Sequence, residues 1–182
     1  TCSPTRSSIL TGRYGYRTGV PSPQSSDNFS ASENTLPEIF ADQELGYELA
    51  SFGKWHLGGG NDGPNDLGGW PHFAGSLSGG LPNYRRWTKV VDGVSTNVTR
   101  TYATTENTKD AAEWINAQGS NNWFAWIGFN AAHTPLHKPP PDLYTTDLTG
   151  LDTTNHPRPF FEAIIEAMDT RIGWLLDEID TN

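Results

Sequence analysis

Residues 2–12 read CSPTRSSILTG and place a single thiol, Cys2, at the start of a segment that reads as a helix. A thiolate is a competent nucleophile, and its reactivity follows its pKa. Ser3 can cap this helix, Pro4 suits its first turn, and Gly12 can end it in the left-handed conformation. Residue 2 then stands beside unpaired amide donors, which attract anions and stabilise developing negative charge. Arg6 lies four residues on, on the same helix face, where a guanidinium can brace an oxyanion. Further along, Lys54 and His56 in GKWHLG are two apart, so an extended backbone turns both to one face and one anion can meet both. Histidine titrates near neutrality and suits proton transfer. His133 follows WFAWIGFN, an apolar run that reads as a buried strand, and a position just past a strand end is a common seat of chemistry in open α/β sheets. The net charge is −9, so an anionic substrate needs a local positive cluster, and Arg6, Lys54, His56 and His133 are its candidates. The same balance argues against a nucleic-acid or acidic-membrane partner, because each demands a basic face.

The conjunction says more than its parts. CxPxR followed by TG in residues 2–12 resembles the maturation signature of the type I, formylglycine-dependent sulfatase family in its cysteine form. GYELASFGKWHLG at 46–58 resembles the second signature of that family, with Leu49 where threonine or serine is more usual, and His133 in AAHTPLHKP matches its HxP segment. The resemblance implies that Cys2 is oxidised to formylglycine by a formylglycine-generating or anaerobic maturation enzyme, and that the hydrated aldehyde attacks the sulfur of a sulfate ester. It implies catalytic roles for Cys2, Arg6, Lys54, His56 and His133. Lys54 would bind the sulfate and a diol oxygen, His56 would deprotonate the second hydroxyl, and His133 would hydrogen-bond the ester oxygen. The GRYGYRTGV and HTPL segments lean toward the arylsulfatase-like branch, whose substrates are sulfated small molecules or glycans. Two rival readings are a phosphonate or phosphodiester hydrolase of the same superfamily and a non-catalytic domain that binds sulfated glycans.

The resemblance covers essentially all 182 residues but only the middle of the family domain. The upstream strand ending in paired aspartates and the downstream SDNG-like run are expected to be absent, since neither DD nor DNG occurs in residues 1–182. The family implies calcium, with residue 2 as formylglycine the one recognisable ligand here, and calcium wants about 6–8 oxygens. NDGPND at 61–66 has ligand-type side chains but no EF-hand spacing, and Gly63-Pro64 reads as a turn. The chain alone is therefore expected to have little or no activity.

The elements that must position these residues can be read in part. Helices are expected over 2–12, over Leu36 to Gln43, over Lys109 to Ala117 and over 158–179. Residues 47–52 read as a strand, with Gly53 permitting close backbone approach near its end. WTKVVDGVST reads as a hairpin turned at Asp92-Gly93. Residues 61–83 read as a long loop over the site, whose glycine run shapes the pocket and whose His72, Ser76 and Ser78 are packing residues first and substrate contacts second. Ser3 and Thr5 read as caps or helix surface, Arg13 and Arg17 as partners of carboxylates, Asn130 as lining the mouth, and His137 and Lys138 as solvated loop. Trp70 and Trp87 read as core or pocket wall. Together with the resemblance, this predicts an α/β sandwich like that of the alkaline phosphatase superfamily, with a mostly parallel or mixed sheet, incomplete in this chain. One cysteine allows no internal disulfide, no apolar run reaches membrane-spanning length, and Asn97-Val98-Thr99 is a glycosylation sequon by pattern. The family resemblance leans toward a periplasmic or secreted setting.

Overall fold

The computed structural model describes residues 1–180; residues 181 and 182, which the expected domain span includes, lie outside the described residues. Five strands form one mixed sheet: β1 (Tyr47–Lys54), β2 (His72–Ser76), β3 (Trp87–Val91), β4 (Val94–Val98) and β5 (Asn122–Gly128), in the order β4-β3-β2-β1-β5. β1 runs parallel to both β2 and β5, while β3 and β4 are antiparallel additions. The helices are α1 (Cys2–Thr11), α2 (Leu36–Asp42), a single turn α3 (Gly63–Asp66), α4 (Ala103–Ala117) and α5 (Pro157–Asp180).

Period-two alternation along β1 and β5 sorts the layers. Leu49, Phe124 and Trp126 turn to the face covered by α1, α2 and the segment after α1, with Leu10, Val20, Phe29, Trp70 and Phe73. Ala50, Phe52, Ala125 and Ile127 turn to the other face, against Ala111 and Ala112 of α4 and Leu175 of α5. Phe52 and Phe73 are fully buried on opposite faces, each contributing on the order of 1.5–3 kcal/mol by burial. The result is a helix–sheet–helix sandwich, as expected, with the carboxyl ends of β1, β2 and β5 opening on one edge.

Several elements differ from the sequence expectation. The stretch 61–83 is not a continuous loop: it contains a 3₁₀ turn (Gly60–Asp62), α3 and the interior strand β2. The Gly, Pro and Asn residues flanking it mask a strand whose own residues are small enough, at Gly75, to lie against Gly53. α4 begins at Ala103, six residues before the expected start. Its Thr- and Asn-rich first turns are poor helix formers, but they are buried against the sheet, and Thr108 Oγ1 bonds back to the Thr104 and Thr105 carbonyls. β5 is half-buried at the sheet edge rather than enclosed. Ser3 does not cap α1: the N-cap is Thr1, and Ser3 is buried inside the first turn with a hydroxyl that has no partner among the described residues. Thr5 Oγ1 bonds back to the Thr1 carbonyl at 2.7 Å.

Two expected devices are present, at Gly12 and at Asp92-Gly93, together with a capping box at Thr35 that was not among the expectations. Gly12 ends α1 at φ 68° and its N–H bonds to the Ser8 carbonyl. Thr35 N–H bonds to the Glu38 carboxylate at 2.7 Å at the start of α2. Asp92 and Gly93, both at positive φ, make the two-residue turn of the β3–β4 hairpin.

Candidate active site

The first turn of α1 lies over the carboxyl end of β1, and this brings together four of the five residues selected for their chemistry. Cys2 Sγ is 3.2 Å from His56 Nδ1, and the Lys54 ammonium lies near enough for its charge to act on the same sulfur. The Arg6 guanidinium hydrogen-bonds the Lys54 carbonyl and lies over the Trp126 ring, 5.5 Å from its centroid. The convergence of Lys54 and His56 does not come from strand alternation. β1 ends at Lys54, and His56 adopts φ 58°, so a left-handed turn brings the imidazole back over the strand end.

Room for this arrangement is made by glycines aligned across three strands. Gly53 pairs with Gly75 on β2 and with Gly128 on β5. A Cβ on Gly75 would collide with the Gly53 carbonyl, one on Gly53 with the Gly128 carbonyl, and one on Gly128 would come within 2.8 Å of Arg6 Nη1. The lane thus gives the guanidinium a bed without side chains, which confirms and extends the close approach expected at Gly53. A second pair, Gly79 and Gly80, seats the histidines: the His56 ring fills the space where a Gly79 side chain would stand, and His133 Nδ1 lies 3.1 Å from a Cβ on Gly80. The expected pocket-shaping glycine run is therefore part of the site.

His133 is exposed on the segment after β5, with Nδ1 2.9 Å from the Thr134 carbonyl, and the Ala131–Ala132 and Thr134–Pro135 peptide bonds of that segment are cis. Tyr84 fixes the backbone there, donating its hydroxyl to the Asn130 carbonyl at 2.7 Å and the His133 carbonyl at 2.8 Å. Sequence reasoning gave Tyr84 no place, and no short-range signal marks it. Asn130 is a buried strut, its amide 3.0 Å from Ser76 Oγ, rather than a group lining the mouth. His72 is at the far end of β2, paired with Asp92 at 2.8 Å and stacked on Trp114. His137 is not solvated loop: it stacks on Tyr84 at 4.1 Å and its Nε2 is 3.0 Å from the Tyr102 hydroxyl, whereas Lys138 is exposed. Arg13 pairs with Glu33 at 2.6 Å as expected, while Arg17 is exposed and has no carboxylate partner among the described residues. Trp70 is core, stacked on Phe124 and Trp126.

The electrostatics follow from this crowding. Burial raises the Cys2 thiol pKa, but the Lys54 charge and the amides at the helix start outweigh it, so the net shift is downward. Burial lowers the pKa of Lys54, only partly offset by the sulfur, and pushes Arg6 down to about 10. His56 is pushed down to about 4, first by burial and then by the charges of Lys54, Arg6 and His133, so its imidazole is neutral across the ordinary pH range. The site is thus a neutral base and two cations around one polarised nucleophile, a setting for an anionic reaction at residue 2. Among the described residues no three His, Cys, Asp or Glu side chains come close enough to hold a metal ion, and 60–66 fold into the 3₁₀ turn and α3.

Comparisons with known proteins point the same way. The Sulfatase family model matches residues 1–182. Arylsulfatase G of Rattus norvegicus is 48% identical over 61 residues, 32% of this chain and 11% of that protein. An arylsulfatase of Hemicentrotus pulcherrimus is 28% identical over 169 residues, 88% of this chain and 27% of its own. The crystal structure of Ps i-CgsB in complex with k-i-k-neocarrahexaose superposes with a TM-score of 0.78 at 20% identity, over 98% of this chain and 44% of that one, a likeness of fold. The chain spans less than half the length of each of these proteins.

Proposed function

This chain belongs to the sulfatase family, and from that premise we propose that the full-length protein hydrolyses a sulfate ester, with residue 2 as the nucleophile. The observation that carries the reading is the convergence of His56, Lys54 and Arg6 on Cys2 in a chain of net charge −9. Cys2 Sγ marks where the reacting oxygens would stand after conversion by a maturation enzyme. Hydrated formylglycine would supply a geminal diol, one hydroxyl taking the sulfuryl group from the ester and the other, once deprotonated, expelling sulfate as the carbonyl reforms.

The chain's own residues supply the rest. His56, neutral above about pH 4 and 3.2 Å from Sγ, takes the proton of the second hydroxyl. Lys54 and Arg6 neutralise the charge on the sulfuryl oxygens, and the amides of the first turn of α1 stabilise the oxygen of residue 2. His133, exposed beside His56 on the Gly79–Gly80 turn, gives a proton to the departing ester oxygen. Calcium is the family's usual ion, and the described residues do not form a site for it, so no step is assigned to it here. The chain's share of its relatives' length, less than half in each case, supports reading residues 1–182 as the central part of a larger catalytic domain, inactive by itself. The substrate is drawn from sulfated small molecules and glycans, a choice supported by the arylsulfatase relatives and by the saccharide held by Ps i-CgsB. The family setting supports a periplasmic or secreted location.

The test is turnover of a chromogenic sulfate ester, and of the matching phosphate ester, by the full-length protein co-expressed with a maturation enzyme. Preferred sulfate release should accompany the mass loss of replacing the thiol and one hydrogen of Cys2 by oxygen. Undiminished sulfate release from protein with an intact thiol would defeat the proposal, and saccharide binding without release would mark a non-catalytic domain.

A further inference from the structure

The Gly79–Gly80 turn that seats the two histidines is also the lip of a separate cavity. This space, about 480 Å³, is lined by Ser76, Ser78, Gly80, Arg86, Trp87 and Asn97, among others. Its near wall is continuous with the catalytic backbone: Trp55 N–H bonds to the Ser76 carbonyl at 2.8 Å and His56 N–H to the Leu77 carbonyl at 3.1 Å. His133, the candidate proton donor to the leaving group, stands over Gly80, which lines the cavity. The volume lies within the range of about 300–1,000 Å³ of small-ligand sites.

The lining is selective. A buried indole and the apolar Leu81, Pro82 and Val98, set beside short hydroxyl and amide side chains and a single cation, suit a ring with apolar faces and polar edges that carries an anion. Arg86 is the only basic residue on this wall; it is exposed and, like Arg17, has no carboxylate partner among the described residues. An unneutralised guanidinium in a chain of net charge −9 is available to a ligand. The neighbouring Arg85 is oriented differently: it lies over the Tyr102 ring, 6.0 Å from the centroid, and lines a separate cavity with His137 and Lys138.

We propose that this cavity receives the alcohol portion of the ester, and that this portion is a saccharide bearing a second anionic group, a carboxylate or another sulfate, held by Arg86. The inference rests on the sulfatase reading, since it takes the sulfuryl group to lie at residue 2.

The experiment compares matured full-length wild type, Arg86→Gln and Arg85→Gln on four esters: a small aryl sulfate, a neutral monosulfated disaccharide, one carrying a uronate and one carrying a second sulfate. Arg86→Gln should lower kcat/KM for the doubly anionic saccharides relative to the aryl sulfate by about 10–100-fold, chiefly through KM, as loss of a charge-assisted contact does. Arg85→Gln should leave that ratio in place, and the arm that Arg86→Gln damages identifies the anion as carboxylate or sulfate. The proposal is overturned if the ratio is the same in wild type and Arg86→Gln, or if Arg85→Gln changes it equally. Equilibrium binding of the desulfated products is measured alongside. If no ester is turned over, the aryl sulfate included, the sulfatase reading fails, and the cavity's ligand is still decided by whether Arg86→Gln abolishes product binding.

Discussion

Two buried lysines on the same sheet show how this fold separates chemistry from cohesion. Lys54 and Lys89 are 4% and 8% exposed, on β1 and β3. Lys89 sits between Glu106 at 2.9 Å and Asp110 at 2.6 Å, both on α4; burial alone would lower its pKa, but the two carboxylates overcome this and raise it. Lys54 has no carboxylate partner among the described residues, faces the Cys2 sulfur and Arg6, and has its pKa lowered by burial. One charge fastens a helix to a strand. The other is kept unneutralised, at a cost in stability that an arriving anion would remove.

The sharpest test of that division is Cys2→Ala in the full-length protein. It should reduce kcat by at least about 10⁴-fold, as removal of a nucleophile does, while thermal unfolding stays close to wild type. A fall in melting temperature as large as the fall in activity would break the distinction between the two regions. His133→Ala should cost about 10²–10⁴-fold, with a larger loss on saccharide sulfates than on nitrophenyl sulfate, whose leaving group needs less help from an acid; equal losses on both would remove His133 from that role. Lys54→Met should lower kcat/KM by about 10²–10³-fold without destabilising the protein, because it deletes an unpaired buried cation. Lys89→Met should do the reverse. It leaves Glu106 and Asp110 facing each other without a cation, so unfolding free energy measured in denaturant should drop by about 2–3 kcal/mol while the surviving folded enzyme turns over normally.

The smallest effect concerns acid stability. His56 has a folded pKa of about 4 against an ordinary value of about 6.5, so the native state binds fewer protons in that interval than the unfolded chain does. Its contribution to stability is complete above about pH 6.5 and is lost as pH falls toward 4. His56→Gln should therefore flatten the melting-temperature profile across this window. An unchanged slope would mean that the imidazole is not held neutral by its neighbours.

What could be read from the sequence was local. CSPTRSSILTG, GKWHLG and the Asp92-Gly93 turn each carry their signal within about a dozen residues, and each appears where expected. What escaped depends on partners distant in the chain. β2 hides between turn-forming residues because its stability comes from pairing with β1, and the early turns of α4 form because Asn107 and Thr108 are buried against other elements. The pairing of Lys54 with His56 was anticipated, yet the backbone achieves it by a left-handed residue rather than by alternation, and His137 is held by aromatic rings more than thirty positions away. Arg6 was legible as a cation. Its bed on Gly128 was not, because that bed exists only once β1, β2 and β5 are side by side in register.

That row of three glycines ties distant positions into one mechanical unit. A single methyl on β2 would press on β1, β1 would press on β5, and β5 would lift the arginine from beneath, so tolerance to substitution there follows the chain of carbonyls rather than distance from the sulfur. Any variant that enlarges one member must move whole strands, and the tuning of this centre is accordingly left to the loops that surround it.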